Sequence, residues 1–403
     1  MTAAVSPEAI AELDGARPDA ARAGREPVLG RWLDRLVAVG FVAALAVPGA
    51  LFAIGVRPES IENREQAEFP RVTLRALATT EFYAAIDAFL VDNLPGRNQA
   101  IEAHAELGQT VFGGTTDPKV VRGAGQWLFL RGEMEPECQF TAADVLGQID
   151  RVAARLAASR RAFRYVVPPD KHGMYPERLL PDPNAEVPCT DTRRAAMQAG
   201  LAARPAAAVD LWTPTRRERK AQPNAPLYYI QDEHWTPLGA VPSIKALVMS
   251  LYPAAWRDTD VTIDGTEAHT ADMSRLIGLP HDEIGPKVVM RPDVDVERTV
   301  LDPGIHVANA RDIPWFTVHG TTRFVPGRTL FVYDSFFGTV MGRVAPFFEQ
   351  SVWVHEGDLY NNPELAKALP SFDTIVFERV ERSAYFTDVE SVLAPVVASA
   401  PRN

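Results

Sequence analysis

Residues 329–335, Thr-Leu-Phe-Val-Tyr-Asp-Ser, form an apolar run that ends in the polar pair Asp334 and Ser335. The β-branched and aromatic residues of this run predict a buried strand. The residues that follow, 336–350, favour a helix. A turn that leads directly from a strand into a helix exposes its side chain and aims backbone N–H groups at a charge that develops beside it. We therefore expect Ser335 to be a nucleophile, with the N–H groups of Ser335 and Phe336 as an oxyanion hole.

A second polar cluster, Asp232-Glu233-His234, follows the apolar residues 227–230. Side chains two positions apart in an extended segment point to the same side, so Asp232 can reach the His234 ring. That contact would fix the tautomer of His234 and stabilise its protonated form, making His234 the base for Ser335. Three other interpretations stay open. Asp232 and His234 could be a structural pair or metal ligands, and the Asp-Ser pair could be a helix cap.

Apolar strand patterns alternate with helix patterns through most of the chain. Helices are predicted at 143–160, 192–203, 236–252, 363–369 and 385–398, and strands at 164–167, 206–211, 227–230, 329–333, 352–354 and 374–377. This alternation indicates an α/β fold in which helices cover both faces of a mostly parallel sheet. Both polar clusters fall at predicted strand ends, where sites on such sheets lie. Residues 256–325 show no clear period and are predicted to be an insertion of loops and short strands.

The N-terminal part of the chain predicts a membrane anchor. Residues 1–35 are a polar tail that contains several arginines, and residues 36–56 are uncharged, apolar and long enough to span a bilayer. The arginines place the tail in the cytoplasm and the rest of the chain outside. A cleaved signal peptide and a buried helix of a soluble protein are the alternatives. Residues 57–118 are predicted to be a linker and a lead-in with helices at 81–93 and 97–111, and residues 119–403 the catalytic domain, which opens with a hairpin at 120–130.

Composition limits the classes of partner and cofactor. The chain has 403 residues and a net charge of -11, which argues against nucleic acid as a partner. Its two cysteines, Cys138 and Cys189, exclude a four-cysteine zinc site. They would pair in an extracytoplasmic domain, and two buried thiols are the equal alternative. There is no motif for coenzyme A or a nucleotide, so no cofactor and no metal are expected.

Several segments in the same order resemble one known family, the periplasmic SGNH-like acetyltransferases of alginate O-acetylation, of the AlgJ and AlgX type. Together they cover most of residues 60–390. The similar segments are Glu62-Asn-Arg64 with Phe69-Pro70, Trp127-Leu-Phe-Leu130, Val166 to Lys171 with Tyr175-Pro-Glu177, Asp232-Glu-His-Trp235, Asp334-Ser335, Phe377-Glu-Arg379 and Glu381-Arg382. The predicted anchor makes the AlgJ type the more similar. The resemblance implies an SGNH hydrolase-like three-layer αβα fold behind one transmembrane helix.

The resemblance also implies the roles of residues. Ser335 would be the nucleophile, His234 the base and Asp232 the orienting carboxylate. The chain departs from the family at Tyr333, where glycine is usual, and at Glu233, where threonine is usual, so Tyr333 is expected to crowd the turn before Ser335. We further expect Lys171, Tyr175 and Arg379 to line the cleft and bind the acetyl donor or an anionic sugar.

The implied activity is transfer of an acetyl group through an acyl-serine onto hydroxyls of an exopolysaccharide, alginate-like or other. The donor would come from a multi-pass membrane O-acyltransferase partner. The protein would be a single-pass protein of the bacterial inner membrane with its catalytic domain in the periplasm. Two rival functions remain. The same triad with water as acceptor would make a carbohydrate acetylesterase, and a membrane-tethered scaffold of a polysaccharide complex would need no catalysis.

Overall fold

The computed structural model describes residues 28–58, 66–111, 113–181, 186–304 and 311–398. Most of the predicted N-terminal tail and the Glu62-Asn-Arg64 segment lie outside these residues. By their contacts, the described residues divide into one unit of residues 28–58 and 66–98 and a second of residues 99–398.

The first unit has the α-helices α1 (Val28–Ala53) and α2 (Thr80–Asn93) in its described part. Residues Trp32–Ala53 of α1 are long and apolar enough to cross a membrane. Helix α2 begins where the hydroxyl of Thr79 accepts a hydrogen bond from the N–H of Phe82. The two predicted helices of this unit are therefore confirmed, although α1 starts earlier than expected and ends at Ala53.

The second unit contains fourteen α-helices among its described residues, starting with one that crosses the boundary between the units. They are α3 (Arg97–Val111), α4 (Arg131–Met134), α5 (Ala142–Ala158), α6 (Lys171–Met174), α7 (Cys189–Ala202), α8 (Trp212–Ala221), α9 (Pro237–Leu251), α10 (Asp272–Leu276), α11 (Ser335–Gly338), α12 (Met341–Val344), α13 (Glu356–Asn361), α14 (Leu365–Ala368), α15 (Glu381–Ala384) and α16 (Val389–Ala398). The predicted N-cap of α9 is confirmed, because the hydroxyl of Thr236 accepts a hydrogen bond of 3.1 Å from the N–H of Gly239.

The strands of this unit form one large sheet and two hairpins. They are β1 (Val120–Arg122), β2 (Leu128–Leu130), β3 (Ala162–Val166), β4 (Ala208–Val209), β5 (Val261–Thr270), β6 (Asp282–Met290), β7 (Asp295–Val300), β8 (Pro314–His319), β9 (Val325–Tyr333), β10 (Phe348–His355) and β11 (Thr374–Glu378). The large sheet has the order β4-β3-β11-β9-β10-β8-β7, and β1 with β2 and β5 with β6 form the hairpins. Five strands of the sheet, from β4 to β10 in this order, are parallel. Strand β8 pairs antiparallel with β10, and β7 pairs antiparallel with β8.

The sheet is covered on both faces, as the alternation predicts. Successive side chains of a strand point to opposite faces. In β9, Phe331 and Tyr333 belong to one hydrophobic core, whereas Leu330 and Val332 belong to the other. Helix α9 supplies apolar side chains to the first core, and helices α5 and α16 supply them to the second. The protein is therefore a three-layer α/β fold with a mostly parallel sheet, which confirms the fold class.

Three predicted segments have a secondary structure that differs from the prediction. Residues 227–230 form no strand of the large sheet. The predicted helix at 336–350 is divided into α11 and α12, after which β10 begins at Phe348. Gly338 and Gly342 disfavour a continuous helix, because glycine loses more conformational freedom than other residues on becoming helical. The predicted loop-rich insertion at 256–325 instead contains the long β5–β6 hairpin and the two antiparallel strands that extend the large sheet.

Candidate active site

The segment of residues 227–236 is a tight loop rather than a strand end. The N–H of Tyr229 donates to the carbonyl of His234 at 3.1 Å, and the N–H of Thr236 donates to the carbonyl of Leu227 at 2.9 Å. These bonds bring the two arms of the loop together. Asp232 and His234 therefore lie at the tip of the loop, just before helix α9.

Two charged side chains from other elements bind the backbone of this loop. Lys171, fully buried at the start of α6, donates from Nζ to the carbonyls of Leu128 at 2.6 Å, Ile230 at 2.8 Å and Asp232 at 2.9 Å. The Glu283 carboxylate on β6 accepts from the N–H groups of Ile230 at 2.7 Å and Gln231 at 2.6 Å. Burial lowers the pKa of Lys171 to about 8, although nearby carboxylates oppose the shift.

The Asp232 carboxylate accepts four hydrogen bonds. Its Oδ1 accepts from Nδ1 of His234 at 2.7 Å and from the N–H of the same residue at 2.8 Å. Its Oδ2 accepts from Nε2 of His269 at 2.9 Å and from the N–H of Asp272 at 2.9 Å. Burial favours the neutral acid, but the hydrogen bonds from the two histidines outweigh it and lower the pKa of Asp232. Asp232 is therefore a fixed negative charge.

His234 is arranged as a base. Its Nδ1 bonds to Asp232, so the lone pair of the neutral ring lies on Nε2. Nε2 is buried and has no hydrogen-bond partner among the described residues. Burial lowers the pKa of His234, but the hydrogen bond to Asp232 and the adjacent Glu233 outweigh burial and raise it. The ring can therefore accept a proton at Nε2 and hold it.

Ser335 is exposed at the end of β9, where it starts α11. The preceding Asp334 accepts from the N–H of Phe336 at 2.9 Å and from the N–H of Val380 at 2.8 Å. The N–H of Phe336 is therefore not available to the expected oxyanion hole, because it already donates to the Asp334 carboxylate. The N–H of Ser335 is the other expected donor. Tyr333 does not crowd the serine, since its ring packs between Trp353 and His355.

Phe336 connects the serine turn with the histidine loop. Its carbonyl accepts a hydrogen bond of 3.1 Å from Nε1 of Trp235. Its ring centroid lies 5.1 Å from that of His234 and 5.3 Å from that of Trp235. The structure thus places His234 against the residue that follows Ser335. The serine and the histidine are not hydrogen-bonded to each other, since Nε2 of His234 has no partner among the described residues, and such bonds often tighten only when substrate binds.

Hydrogen bonds to other parts of the protein engage all three predicted substrate-binding residues. All three N–H donors of Lys171 are used by backbone carbonyls. Tyr175 is buried, its hydroxyl accepts from the N–H of Leu227 at 2.8 Å, and its ring packs on Trp127. Arg379 donates to Glu356 at 2.6 Å and to Thr387 at 2.9 Å. These hydrogen bonds are all to the protein itself, and binding of a donor or sugar by the three side chains stays a prediction.

Two residues near the site were not predicted from the sequence. His269 on β5 contacts Asp232 from a hairpin 37 residues away, and only the fold reveals that contact. The guanidinium of Arg382 lies 5.4 Å from the ring centroid of Phe336 and donates to Asp170 at 2.8 Å. The Glu381-Arg382 pair resembles a segment of the family, but its spacing in the sequence predicts no contact with the site.

Two of the side chains that could bind a metal at this position, Asp232 and His234, are already hydrogen-bonded to each other. Asp232, Glu233, His234 and Asp272 offer ligand atoms within 4.8 Å of one another. Each Asp232 oxygen, however, already accepts two hydrogen bonds, and Nδ1 of His234 is one of the donors. The residues are therefore arranged as a hydrogen-bonded histidine–carboxylate pair.

Cys138 and Cys189 are joined in a disulfide that links the segment after α4 to the first residue of α7. The bridge closes a loop across 51 positions, which contains β3 and Lys171.

A family model for the SGNH hydrolase-like domain of acetyltransferase AlgX matches residues 120–300. Over these 181 of its 403 residues, the chain is similar to the SGNH hydrolase-like acetyltransferase family of AlgX. The matched part contains Asp232, His234 and His269 but ends before Ser335. The family is one of O-acetyltransferases related to alginate acetylation.

Solved structures with a similar fold have low sequence identity. The O-acetyltransferase domain of Pseudomonas putida AlgJ is 17% identical, with a TM-score of 0.45 over 69% of this chain and 99% of that one. Bacillus cereus PatB1 with a sulfonyl adduct is 12% identical, with a TM-score of 0.45 over 66% and 95%. Pseudomonas aeruginosa AlgX is 16% identical, with a TM-score of 0.38 over 68% and 66%. A search of curated proteins found no match.

Proposed function

We propose that the protein transfers an acetyl group onto hydroxyls of an exopolysaccharide, alginate-like or other, through an acyl-serine intermediate. The proposal rests on the hydrogen bonding and the packing of the His234 ring. Its Nδ1 is bonded to the Asp232 carboxylate, and its free, buried Nε2 belongs to a ring packed against the residue after Ser335. Orientation by a carboxylate and a free lone pair are what a general base for a serine requires.

In the first half-reaction, Nε2 of His234 takes the proton of Ser335 while Oγ attacks the acetyl carbonyl of the donor. The tetrahedral intermediate collapses, the leaving group takes the proton from His234, and the acetyl group remains on Ser335. In the second half-reaction, His234 deprotonates a sugar hydroxyl, which attacks the acyl-serine and regenerates the free serine. The oxyanion of both intermediates would lie against the backbone N–H of Ser335.

The proposed location is the periplasmic side of a bacterial inner membrane, with α1 as a single-pass anchor. Two observations support this. Helix α1 is long and apolar enough to span a bilayer and is preceded in the sequence by arginines. The Cys138–Cys189 disulfide is of a kind that persists in oxidising compartments. In that setting, a multi-pass membrane O-acyltransferase would supply the acetyl donor and a polysaccharide the acceptor.

The test uses the full chain in detergent with p-nitrophenyl acetate as donor and a panel of acidic and neutral oligosaccharides as acceptors. We expect sugars to gain about 42 Da, the mass of an acetyl group replacing a hydrogen, as followed by mass spectrometry, and Ser335→Ala to lose at least about 10³-fold in kcat because the nucleophile is gone. Ser391→Ala is the matched control, since Ser391 is an exposed serine on α16.

The other outcomes separate the rival functions. Acetate release that depends on Ser335 but modifies no sugar would indicate an acetylesterase. Equal activity of wild type and Ser335→Ala, or no activity in either, would contradict the nucleophile and favour a scaffold.

A further inference from the structure

His269 contacts the proposed site from a direction that the Asp-x-His pattern does not contain. Its Nε2 lies 2.9 Å from Oδ2 of Asp232, the oxygen that His234 does not use. Asp232 is fully buried, and the two imidazoles approach its two different oxygens. A buried carboxylate with both oxygens engaged cannot rotate without breaking charge-assisted hydrogen bonds, which are the stronger kind.

The ring of His269 is itself fixed. It stacks on the ring of Tyr229, with centroids 3.9 Å apart and planes at 12°. On the opposite strand of the hairpin, Glu283 is the register partner of His269 and accepts from the N–H groups of Ile230 and Gln231. One cross-strand pair therefore holds both the backbone before Asp232 and the Asp232 side chain.

We propose that His269 is a positioning residue for the acyl transfer proposed above. It acts through Asp232 and contacts neither Ser335 nor the transferred group. By donating to Oδ2, His269 prevents rotation of the Asp232 carboxylate, so Oδ1 continues to accept from Nδ1 of His234. The His234 ring then stays in the orientation in which its Nε2 is free. The hairpin β5–β6 thereby becomes a part of the catalytic apparatus rather than a surface insertion.

His269 also sets how strongly Asp232 acts on His234. A donor at Oδ2 withdraws part of the carboxylate's negative charge from His234. Removal of this donor leaves more negative charge facing the imidazole, which raises the pKa of His234. The pKa of His234 rises on removal of this donor whether the His269 ring is neutral or charged. The other charged groups near His269 are Asp272, the first residue of α10, Glu283, its register partner on β6, and Glu267, which pairs with Arg343.

The side chain of His269 is 28% exposed beside a cavity of about 130 Å³, whose lining includes Tyr229, Trp235 and Thr339. A substitution at this position therefore alters one rim of an open space rather than the interior of the core. The shortened variant His269→Ala would enlarge that space enough for the approach of free imidazole.

The experiment measures kcat, KM and the pH dependence of kcat/KM for the full chain in detergent with p-nitrophenyl acetate. His269→Leu should lower kcat about tenfold with little change in KM, because it removes one orienting hydrogen bond but not the base, whose full contribution is larger. The acid limb of its profile should move to higher pH. His269→Gln keeps an N–H donor and should retain most of kcat, and free imidazole should partly restore His269→Ala.

His319→Ala is the matched control, because His319 pairs with a carboxylate, Glu297, at 3.2 Å on the exposed edge of the sheet. It should leave the kinetic constants and the profile unchanged. A His269→Leu profile that overlays the wild type, or a loss in His269→Gln as large as in His269→Leu, would overturn the proposal. If Ser335→Ala is fully active, the proposed function itself fails, whereas an inactive Ser335→Ala with a normal His269→Leu contradicts only the role of His269.

Discussion

At the scale of the residue, Lys171 shows how burial changes the meaning of a charge. The sequence suggested a substrate-binding lysine, but its Nζ donates to three carbonyls, including that of Asp232. We expect Lys171→Met to lower the free energy of unfolding by about 3 kcal/mol, since three buried carbonyls lose their donor. The kcat should fall as well, because the loop that carries Asp232 and His234 loses its support. Urea unfolding and steady-state kinetics would measure both effects.

Lys367→Met is the matched control, because Lys367 is exposed and pairs with the exposed Glu364. It should change the free energy of unfolding by less than about 0.5 kcal/mol, as is usual for surface substitutions. If Lys171→Met keeps the stability of the wild type and raises only KM, the lysine binds substrate and the support role is wrong.

At the scale of the element, the local sequence pattern is sufficient to predict the secondary structure of some segments but not of others. Strand β9 and helix α9 were predictable because apolar runs, N-caps and glycines act within a few residues. The segment at 227–236 has the apolar residues of a strand, but it forms a tight loop. Its hydrogen bonds come instead from Lys171 and Glu283, which lie about 50 to 60 residues away. Asp232, His234 and Ser335 were found from short motifs, whereas His269 has no local signal.

The hairpin β5–β6 should stabilise the loop through Glu283. In Glu283→Gln the shape is kept, but one of the two oxygens that accept from Ile230 and Gln231 becomes an NH₂ group that faces an N–H. We expect the free energy of local opening at 227–236 to fall by about 1–3 kcal/mol, the cost of a buried unsatisfied donor. Hydrogen exchange of these amides should then be about 10 to 100 times faster, while exchange in β9 stays unchanged.

Glu297→Gln on the edge strand β7 is the comparison for Glu283→Gln. Glu297 is exposed, and its carboxylate lies 3.2 Å from Nε2 of His319. Equal exchange rates at 227–236 in both variants would show that the hairpin does not hold the loop.

At the scale of the whole molecule, a buried ionic network joins helices that are distant in sequence. His172 bonds to Asp191 at 3.0 Å and, through its N–H, to Glu133 at 3.0 Å. Burial lowers the pKa of His172, but these carboxylates outweigh burial and raise it to about 10. Arg194 pairs with Asp191 and with Glu381 at 2.6 Å, next to Arg382. The network thus connects α4, α6, α7 and α15 behind the site.

The Cys138–Cys189 disulfide ties the two ends of this network together, because Cys138 follows Glu133 and Cys189 precedes Asp191. Closing a loop across 51 positions removes freedom from the unfolded chain, which in the chain-entropy model stabilises the fold by about 4 kcal/mol. We expect a reductant to lower the free energy of unfolding by about that amount. The double variant Cys138→Ser with Cys189→Ser should be equally destabilised and insensitive to reductant.

The same bridge tests the proposed compartment. Protein made with its N-terminal segment should be fully oxidised when it is trapped with a thiol reagent in intact cells, because the domain would fold in the periplasm. Protein made without residues 1–56 should keep two reactive thiols until it is exposed to oxidant. Two free thiols in the anchored protein would contradict a periplasmic domain, since folding places the two cysteines within bonding distance in either compartment and only the redox environment differs.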